Sequence, residues 1–263
     1  ILNYLRMKRL ITYTFSLLAL ASCSLPKPTT TSAPAVQRIP ASFDYSPPAR
    51  SQAGQTDITI AIVKPVYVGK NPEYFVPPFN EMAQSMGNDF EELLTAKGFT
   101  IRGPFGSRDE MVYNDKVNSN FVLEIGIELN PQYNRKYVAS NKTNWAGLLN
   151  KNEPESITMI KMNGEITLAG NLVINIKSSQ YGELIWKKNI ALESASFIYS
   201  GSIIWRGVPT MAEELNKDNQ VYNTVSAALQ KFYQKSLNLA WQQIDPLEMK
   251  SVAEQAKKAD KRG

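Results

Sequence analysis

A strand, a helix and a second strand follow one another over residues 58–102, and this order constrains the fold more than any other feature. Residues 58–63 (ITIAIV) are β-branched and apolar, which is typical of a strand covered on at least one face. Pro77 and Pro78 suit a helix start, apolar residues then recur at helical spacing, and Gly98 supplies a C-terminal cap. Residues 100–102 give the second strand. Because a helical crossover joins parallel strands, normally with right-handed sense, the pattern predicts an α/β domain.

The middle of the chain adds strands to this unit. Residues 120–129 alternate between apolar and polar side chains, which indicates a strand with one buried face. Three further strand candidates are residues 157–161, 165–177 and 184–192, the last two joined by a hairpin loop at 178–183. Residues 197–207 fit either an irregular strand or a docked loop. We therefore predict a single domain with a mixed sheet of five to six strands.

The strongest helical pattern lies near the C-terminal end. Asp218 and Asn219 are candidate caps, and an apolar stripe runs from Val221 to Ile244, where Pro246 ends it. We expect this helix and the helix before Gly98 to be the two long helices packed on the sheet. Residues 247–263 have helical propensity but only a weak apolar stripe, so we expect a charged, solvated extension.

Cys23 is the only cysteine, and its surroundings indicate a membrane anchor. A basic start at Met7 is followed by a mostly apolar run over residues 10–21 and the tetrapeptide LASC at 20–23, the order of a secretory signal peptide. The run is shorter than the roughly 20 residues that span a bilayer, so we expect cleavage. The tetrapeptide resembles a bacterial lipobox, in which the cysteine is acylated and becomes the new N-terminus. The alternative is an ordinary signal peptide with a cysteine near the cut by chance.

The segment after Cys23 contains six of the fifteen prolines and few bulky apolar residues, so we expect a tether. The sequence thus predicts four segments: residues 1–22 with upstream residues and the signal, 23–55 as a lipid-anchored linker, 56–246 as the globular domain, and 247–263 as the tail.

Charge and composition exclude several functions. Loss of Arg6, Lys8 and Arg9 with the signal leaves 26 basic against 24 acidic residues, without the basic footprint of a nucleic-acid binder. The sequence contains no histidine, which removes Ser-His and Cys-His dyads and every His-containing metal site. The acidic pairs 91–92 and 213–214 are expected on solvated surfaces, because neighbouring residues diverge on a helix. We predict a protein that is not an enzyme and has neither metal nor cofactor.

Several stretches resemble the HpaA family, the neuraminyllactose-binding haemagglutinin homologues found among lipoproteins of Helicobacter and its relatives. They are Lys64-Pro65 after the first strand, LLTAKGFTI at 93–101, MNGEITLAG at 162–170 and SAALQK at 226–231. The resemblance implies an outer-membrane lipoprotein and an adhesin-like role. The family's proposed sialic-acid site is a short Lys/Arg-rich motif, whose nearest counterpart is NRKY at 134–137.

Residues 131–155 are the candidate recognition surface, because this long stretch between two strand candidates carries aromatic, amide and cationic side chains together. The candidate ligand-binding residues are Tyr133, Arg135, Lys136, Tyr137, Lys142 and Trp145, and the lipidation site is Cys23. The alternative is an Ω-loop whose aromatic residues only pack it down.

Three functions remain open at this point. The first is a non-enzymatic outer-membrane lipoprotein that binds sialylated glycans or other host molecules. The second is a periplasm-facing accessory lipoprotein that docks an envelope protein machine. The third is an enzyme with two converging carboxylates.

Overall fold

The predicted strand–helix–strand unit forms as expected. The computed structural model describes residues 36–142, 157–204 and 210–262. Strand β1 (Thr59–Val63) leads through the two-residue strand β2 (Val66–Tyr67) and a 3₁₀ turn (Pro72–Phe75) to helix α1 (Phe79–Ala96), which is followed by β3 (Thr100–Phe105). Strands β1 and β3 pair in parallel. Gly98, just beyond the helix, has a φ of 91°, the left-handed conformation that glycine adopts most readily.

The sheet is mixed, and its antiparallel strands are longer than the sequence predicts. A 3₁₀ turn (Arg108–Glu110) and a short helix α2 (Tyr113–Val117) precede β4 (Phe121–Lys142), β5 (Ile157–Lys177) and β6 (Leu184–Ile204). The strand order is β3-β1-β4-β5-β6, with β2 also beside β4. β4 runs parallel to β1 and antiparallel to β5, which is antiparallel to β6. The described residues thus form a six-stranded α/β sheet, which confirms the predicted fold class.

The three antiparallel strands correct several predicted boundaries. The candidates 157–161 and 165–177 are one continuous strand, and residues 197–204 belong to β6 rather than to a docked loop. Polar residues within these strands do not interrupt strand pairing, because one face of the sheet is polar. On that face Glu124 forms an ion pair with Lys177 at 2.7 Å.

Three helices follow the sheet: α3 (Met211–Lys217), α4 (Asn219–Gln243) and α5 (Pro246–Ala259). Helix α3 was not predicted, although its capping box of Thr210 and Glu213 is visible in the sequence. Glu214, expected at the surface, is fully buried. Helix α4 is the predicted core helix, capped by Asp218. Its stripe is buried as expected, except that Trp241 is half-buried.

The prediction of a solvated C-terminal tail is wrong. Helix α5 buries Met249, Val252, Ala253, Ala256 and Ala259. Three of these five residues are alanines, which are too small to give a strong hydrophobic pattern in the sequence. Their small side chains allow the helix to pack close to the sheet. Trp186 of β6 donates to Glu248 of this helix at 2.8 Å.

Part of the predicted tether is docked on the domain. In this strap, defined as residues 37–56, Phe43 and Tyr45 are 9% and 3% exposed. The side-chain amides of Asn223, Gln230 and Gln234 on α4 donate to the carbonyl oxygens of Gln37, Ser42 and Asp44, respectively. The prediction of a free linker over residues 23–55 is therefore wrong from Gln37 onwards. The strap backbone forms no strand, and side chains of α4 provide hydrogen-bond donors for its carbonyl oxygens.

One apolar cluster joins the strap, the inner face of the sheet and helices α1, α3, α4 and α5. A smaller cluster of Ala61, Val63, Met111 and Val122 lies apart from it. The large cluster is the apolar core of this domain, through which the strap and the four helices pack on the sheet.

Candidate functional site

The candidate recognition surface at 131–155 is not one long loop. Its first twelve residues continue β4, and they pair with β5 from Pro131 opposite Leu168 to Lys142 opposite Ile157. The period-two spacing of Tyr133, Arg135 and Tyr137 was a sequence signal for this strand. Trp145 lies outside the described residues, as does the rest of that stretch.

Tyr133 is held in place by the body of the protein. Its hydroxyl donates to Oε1 of Glu73 at 2.9 Å, and the residue is half-buried against the main apolar cluster. Glu73 is 7% exposed and comes from the 3₁₀ turn before α1. This tyrosine therefore ties the start of the extended strands to the domain.

The NRKY motif lies on β4, where its backbone pairs with β5. Lys136 is exposed. The backbones of Arg135, Tyr137 and Lys142 belong to β4, whereas their side chains lie outside what the structure describes.

The distal ribbon is the part of β4, β5 and β6 beyond Tyr133: residues 134–142, 157–165 and 198–204. Its side chains that the structure describes as exposed include Lys136, Asn163, Ile198 and Ser200. Ile198 is 87% exposed, and it lies on β6, the last strand in the order of the described sheet. An edge strand presents backbone donors and acceptors to a potential partner strand.

A groove of about 580 Å³ lies beside β2 and the middle of β4 and β5. Its polar lining includes Glu128, Asn130, Asn171 and Asn71. The Asn171 amide donates to Oε2 of Glu128 at 3.1 Å. The groove has amides suited to hydroxyl groups, but its carboxylate disfavours an acidic ligand.

The groove lies at an irregularity in the sheet. The register of β5 against β6 shifts between Leu168 and Gly170. At Gly170 a β-carbon would lie 2.1 Å from the carbonyl oxygen of Glu128, so only glycine allows this close approach of β5 to β4.

A buried tyrosine–carboxylate pair connects α1 and α4. The Tyr233 hydroxyl donates to Oδ2 of Asp89 at 2.5 Å, and the backbone of Tyr45 donates to the same carboxylate. Burial raises the pKa of Asp89 above its ordinary value, and burial together with Asp89 raises the pKa of Tyr233. Tyr233 therefore remains a neutral donor that fixes the carboxylate beneath the strap.

Among the described residues, no group of three or more Asp, Glu, His or Cys side chains is arranged to hold a metal ion. None of the described helices combines the length and apolar character needed to span a bilayer.

Comparison with known proteins gives a likeness in fold. No family model matches the chain. No curated protein matches it in sequence. A crystal structure from Helicobacter pylori, of a protein described as a homologue of the neuraminyllactose-binding hemagglutinin, matches with a TM-score of 0.56 at 12% identity, covering 84% of this chain and 100% of that one. This chain shares that fold.

A hypothetical protein from Chlamydia trachomatis matches with a TM-score of 0.25 at 9% identity, covering 70% of this chain and 95% of that one. A score this low gives no information about the fold. The likeness to the H. pylori protein is a relationship of fold, while membership of the HpaA family stays a prediction.

Proposed function

We propose that this protein is a lipid-anchored, non-enzymatic component of the outer membrane that acts by binding, in the manner of an adhesin. The observation that carries the binding role is the distal ribbon, which places polar side chains and an 87% exposed isoleucine beyond the apolar cluster of the body. On this ribbon Lys136 of β4 lies opposite Asn163 of β5, and the exposed ammonium and amide can donate hydrogen bonds to a polar ligand.

The anchor rests on the sequence around Cys23. The tetrapeptide LASC follows a basic start and a twelve-residue apolar run. Stable anchoring needs more than one acyl chain, because a single chain gives only marginal membrane binding. A lipobox cysteine, with its diacylated thiol, meets this requirement.

Sialylated glycans are the first ligands to test. The neighbour of known structure is described as a homologue of a neuraminyllactose-binding hemagglutinin, and Lys136 provides an exposed cation on the ribbon. An ammonium group pairs with the carboxylate of sialic acid. The groove beside β2 is a poor alternative for such a ligand, since Glu128 lines it.

The alternative is a periplasm-facing lipoprotein that docks an envelope protein machine. One observation favours it: β6 is an edge strand among the described residues, and such a strand can accept a strand from a partner protein.

The anchor is tested by replacing Cys23 with Ala. We expect the wild type to incorporate a fatty-acid analogue and to sediment with outer membranes, and the variant to lose both properties. Ser22→Ala, which keeps the cysteine, is the matched control. Labelled lipid on the Cys23→Ala protein would contradict the anchor.

The binding role is tested in two steps. Protease shaving of intact cells separates a surface-exposed domain, which is cleaved, from a periplasmic one, which is protected. Binding of the purified full-length chain to sialylated and desialylated glycans is then compared for the wild type, Arg135→Ala with Lys136→Ala, and Lys250→Ala as an exposed control. Equal binding to both glycan sets would exclude sialic acid as the recognised group, and a protected domain would favour the docking role.

A further inference from the structure

A second pocket lies at the end of the sheet opposite the distal ribbon. It is formed where the residues before β4, the turn after β5 and the C-terminal end of α5 meet, and it has a volume of about 330 Å³. We call it the lysine pocket, after Lys257 and Lys261 in its lining. Pockets that hold small molecules begin at about this size.

The single carboxylate in the lysine pocket is already satisfied. Asp260 accepts one hydrogen bond from the Ser179 hydroxyl and one from the backbone N–H of Gln180, both at 3.1 Å. These bonds hold the carboxylate to the hairpin turn. The lining contains two lysines and one acid, so its charge is positive.

Lys257 and Lys261 are available for an external anion. Both are exposed, and neither forms an ion pair with a carboxylate of the described chain. Lysines near a helix C-terminus are favourable with respect to the helix dipole by about 0.3–1 kcal/mol, which accounts for cations at this end of α5. The dipole does not account for the second feature of the pocket.

That second feature is a buried hydroxyl. Ser119 lines the pocket and is 6% exposed, yet its hydroxyl makes no hydrogen bond with the described residues. Its carbonyl oxygen accepts from Ser179 at 3.0 Å, which fixes the backbone beside the turn. Buried polar groups nearly always have a partner, so an unmatched hydroxyl in a pocket that two lysines also line is unusual.

We propose that the lysine pocket binds a small anion, the phosphate or carboxylate of a soluble molecule up to about the size of a monosaccharide. Lys257 and Lys261 supply the charge, and Ser119 donates a hydrogen bond to an anion oxygen. This inference is independent of the glycan-binding proposal, because the two surfaces lie at opposite ends of the long strands.

The test is calorimetric titration of the full-length chain in non-ionic detergent with sodium phosphate or glucuronate, at constant ionic strength, with glucose as the neutral probe. We expect saturable binding of at least one anion and none of glucose. Lys257→Gln with Lys261→Gln should weaken binding at least about tenfold, and Ser119→Ala should weaken it several-fold, since hydrogen bonds to charged groups are worth about 1.5–3 kcal/mol.

The control is Lys250→Gln with Lys258→Gln, which removes the same charge from exposed positions of the same helix outside the pocket. It should bind within about twofold of the wild type, because exposed charges beyond the pocket are screened. Equal weakening in both lysine pairs, unchanged binding by Ser119→Ala, or no saturable binding of either anion by the wild type would each overturn the proposal. Thermal unfolding of each variant verifies that it is folded, and Ser119→Ala tests the pocket with both lysines in place.

Discussion

At the scale of single residues, Asp89 couples ionisation to folding. Its carboxylate is 8% exposed and accepts from the hydroxyl of Tyr233 and from the strap. Burial disfavours the charged form and raises the pKa of Asp89 above the ordinary 3.8, although the hydrogen bonds oppose this shift. Between the two pKa values, the folded chain therefore holds more protons at this site than the unfolded chain.

We predict that ionisation of Asp89 lowers the free energy of unfolding as the pH rises. Where the native state binds more protons, the free energy of unfolding falls with increasing pH, so the contribution of Asp89 is fully present below pH 3.8 and is lost as the pH passes the raised pKa. Asp89→Asn should remove this part of the pH dependence. Urea denaturation between pH 3.5 and about 7 measures it.

The control for this prediction is Asp109→Asn, because the Asp109 side chain is 90% exposed. This variant should keep the wild-type pH profile. If the free energy of unfolding of Asp89→Asn changed with pH in parallel with that of the wild type, Asp89 would have the same pKa in the folded and unfolded states, which would contradict the prediction.

At the scale of elements, the strap shows how a polar, proline-rich segment can belong to a folded domain. Its two aromatic residues enter the core, and the Phe43 ring lies 5.3 Å from that of Tyr233. At its other end Ser51 donates to the carbonyl oxygen of Ala96 at 2.7 Å, so the strap also holds the end of α1. Two anchoring residues are enough to fix such a segment when helix side chains satisfy its backbone.

We predict that Phe43→Ala lowers the free energy of unfolding by about 3–5 kcal/mol, the usual effect of truncating a buried phenylalanine. Ile39→Ala, at a 66% exposed position of the same strap, should change it by less than about 0.5 kcal/mol. Chemical denaturation of both variants measures the difference. Equal stabilities would mean that the strap does not contribute to the core in solution.

Helix α5 gives a second prediction at this scale. Met249 is fully buried, so Met249→Ala should destabilise the protein by about 2–5 kcal/mol, whereas Leu247→Ala, at a 79% exposed position, should have little effect. Thermal and urea unfolding provide the measurement. A solvated tail would make the two substitutions equivalent.

At the scale of the whole molecule, one apolar cluster includes residues from the strap to α5. Trp186 bonds to α5, and Trp241 lies at the end of α4 with the Lys97 ammonium 4.2 Å from its ring centre. These two tryptophans therefore report on contacts between elements that are distant in sequence.

Because the core is shared, we predict that the domain unfolds as one cooperative unit. With Trp145 and Trp205 replaced by Phe, the fluorescence of Trp186 and Trp241 should follow the same urea transition as the far-UV circular dichroism. A fluorescence change at clearly lower urea would indicate that α5 separates first. Met249→Ala should then shift the fluorescence transition alone.

The candidate site was less predictable than the fold, for a physical reason. The period-two spacing of Tyr133, Arg135 and Tyr137 is compatible with a strand. The aromatic, amide and cationic side chains of this stretch fit the composition of a recognition loop equally well. The lysine pocket could not be found from sequence at all, since Ser119, Ser179 and Lys261 are far apart in the chain and only the fold brings them together.

Local sequence was sufficient to predict the elements whose burial is periodic: the parallel unit around α1, the alternating start of β4, and α4 with its stripe. Hydrophobic periodicity is a local property, so these elements were predictable without their neighbours. Whether the strap and α5 pack on the domain depends on the tertiary structure, because their own sequences carry few large apolar residues. Phe43, Tyr45 and the alanines of α5 are buried because other elements provide complementary surfaces and hydrogen-bond donors, and such partners lie far away in the chain.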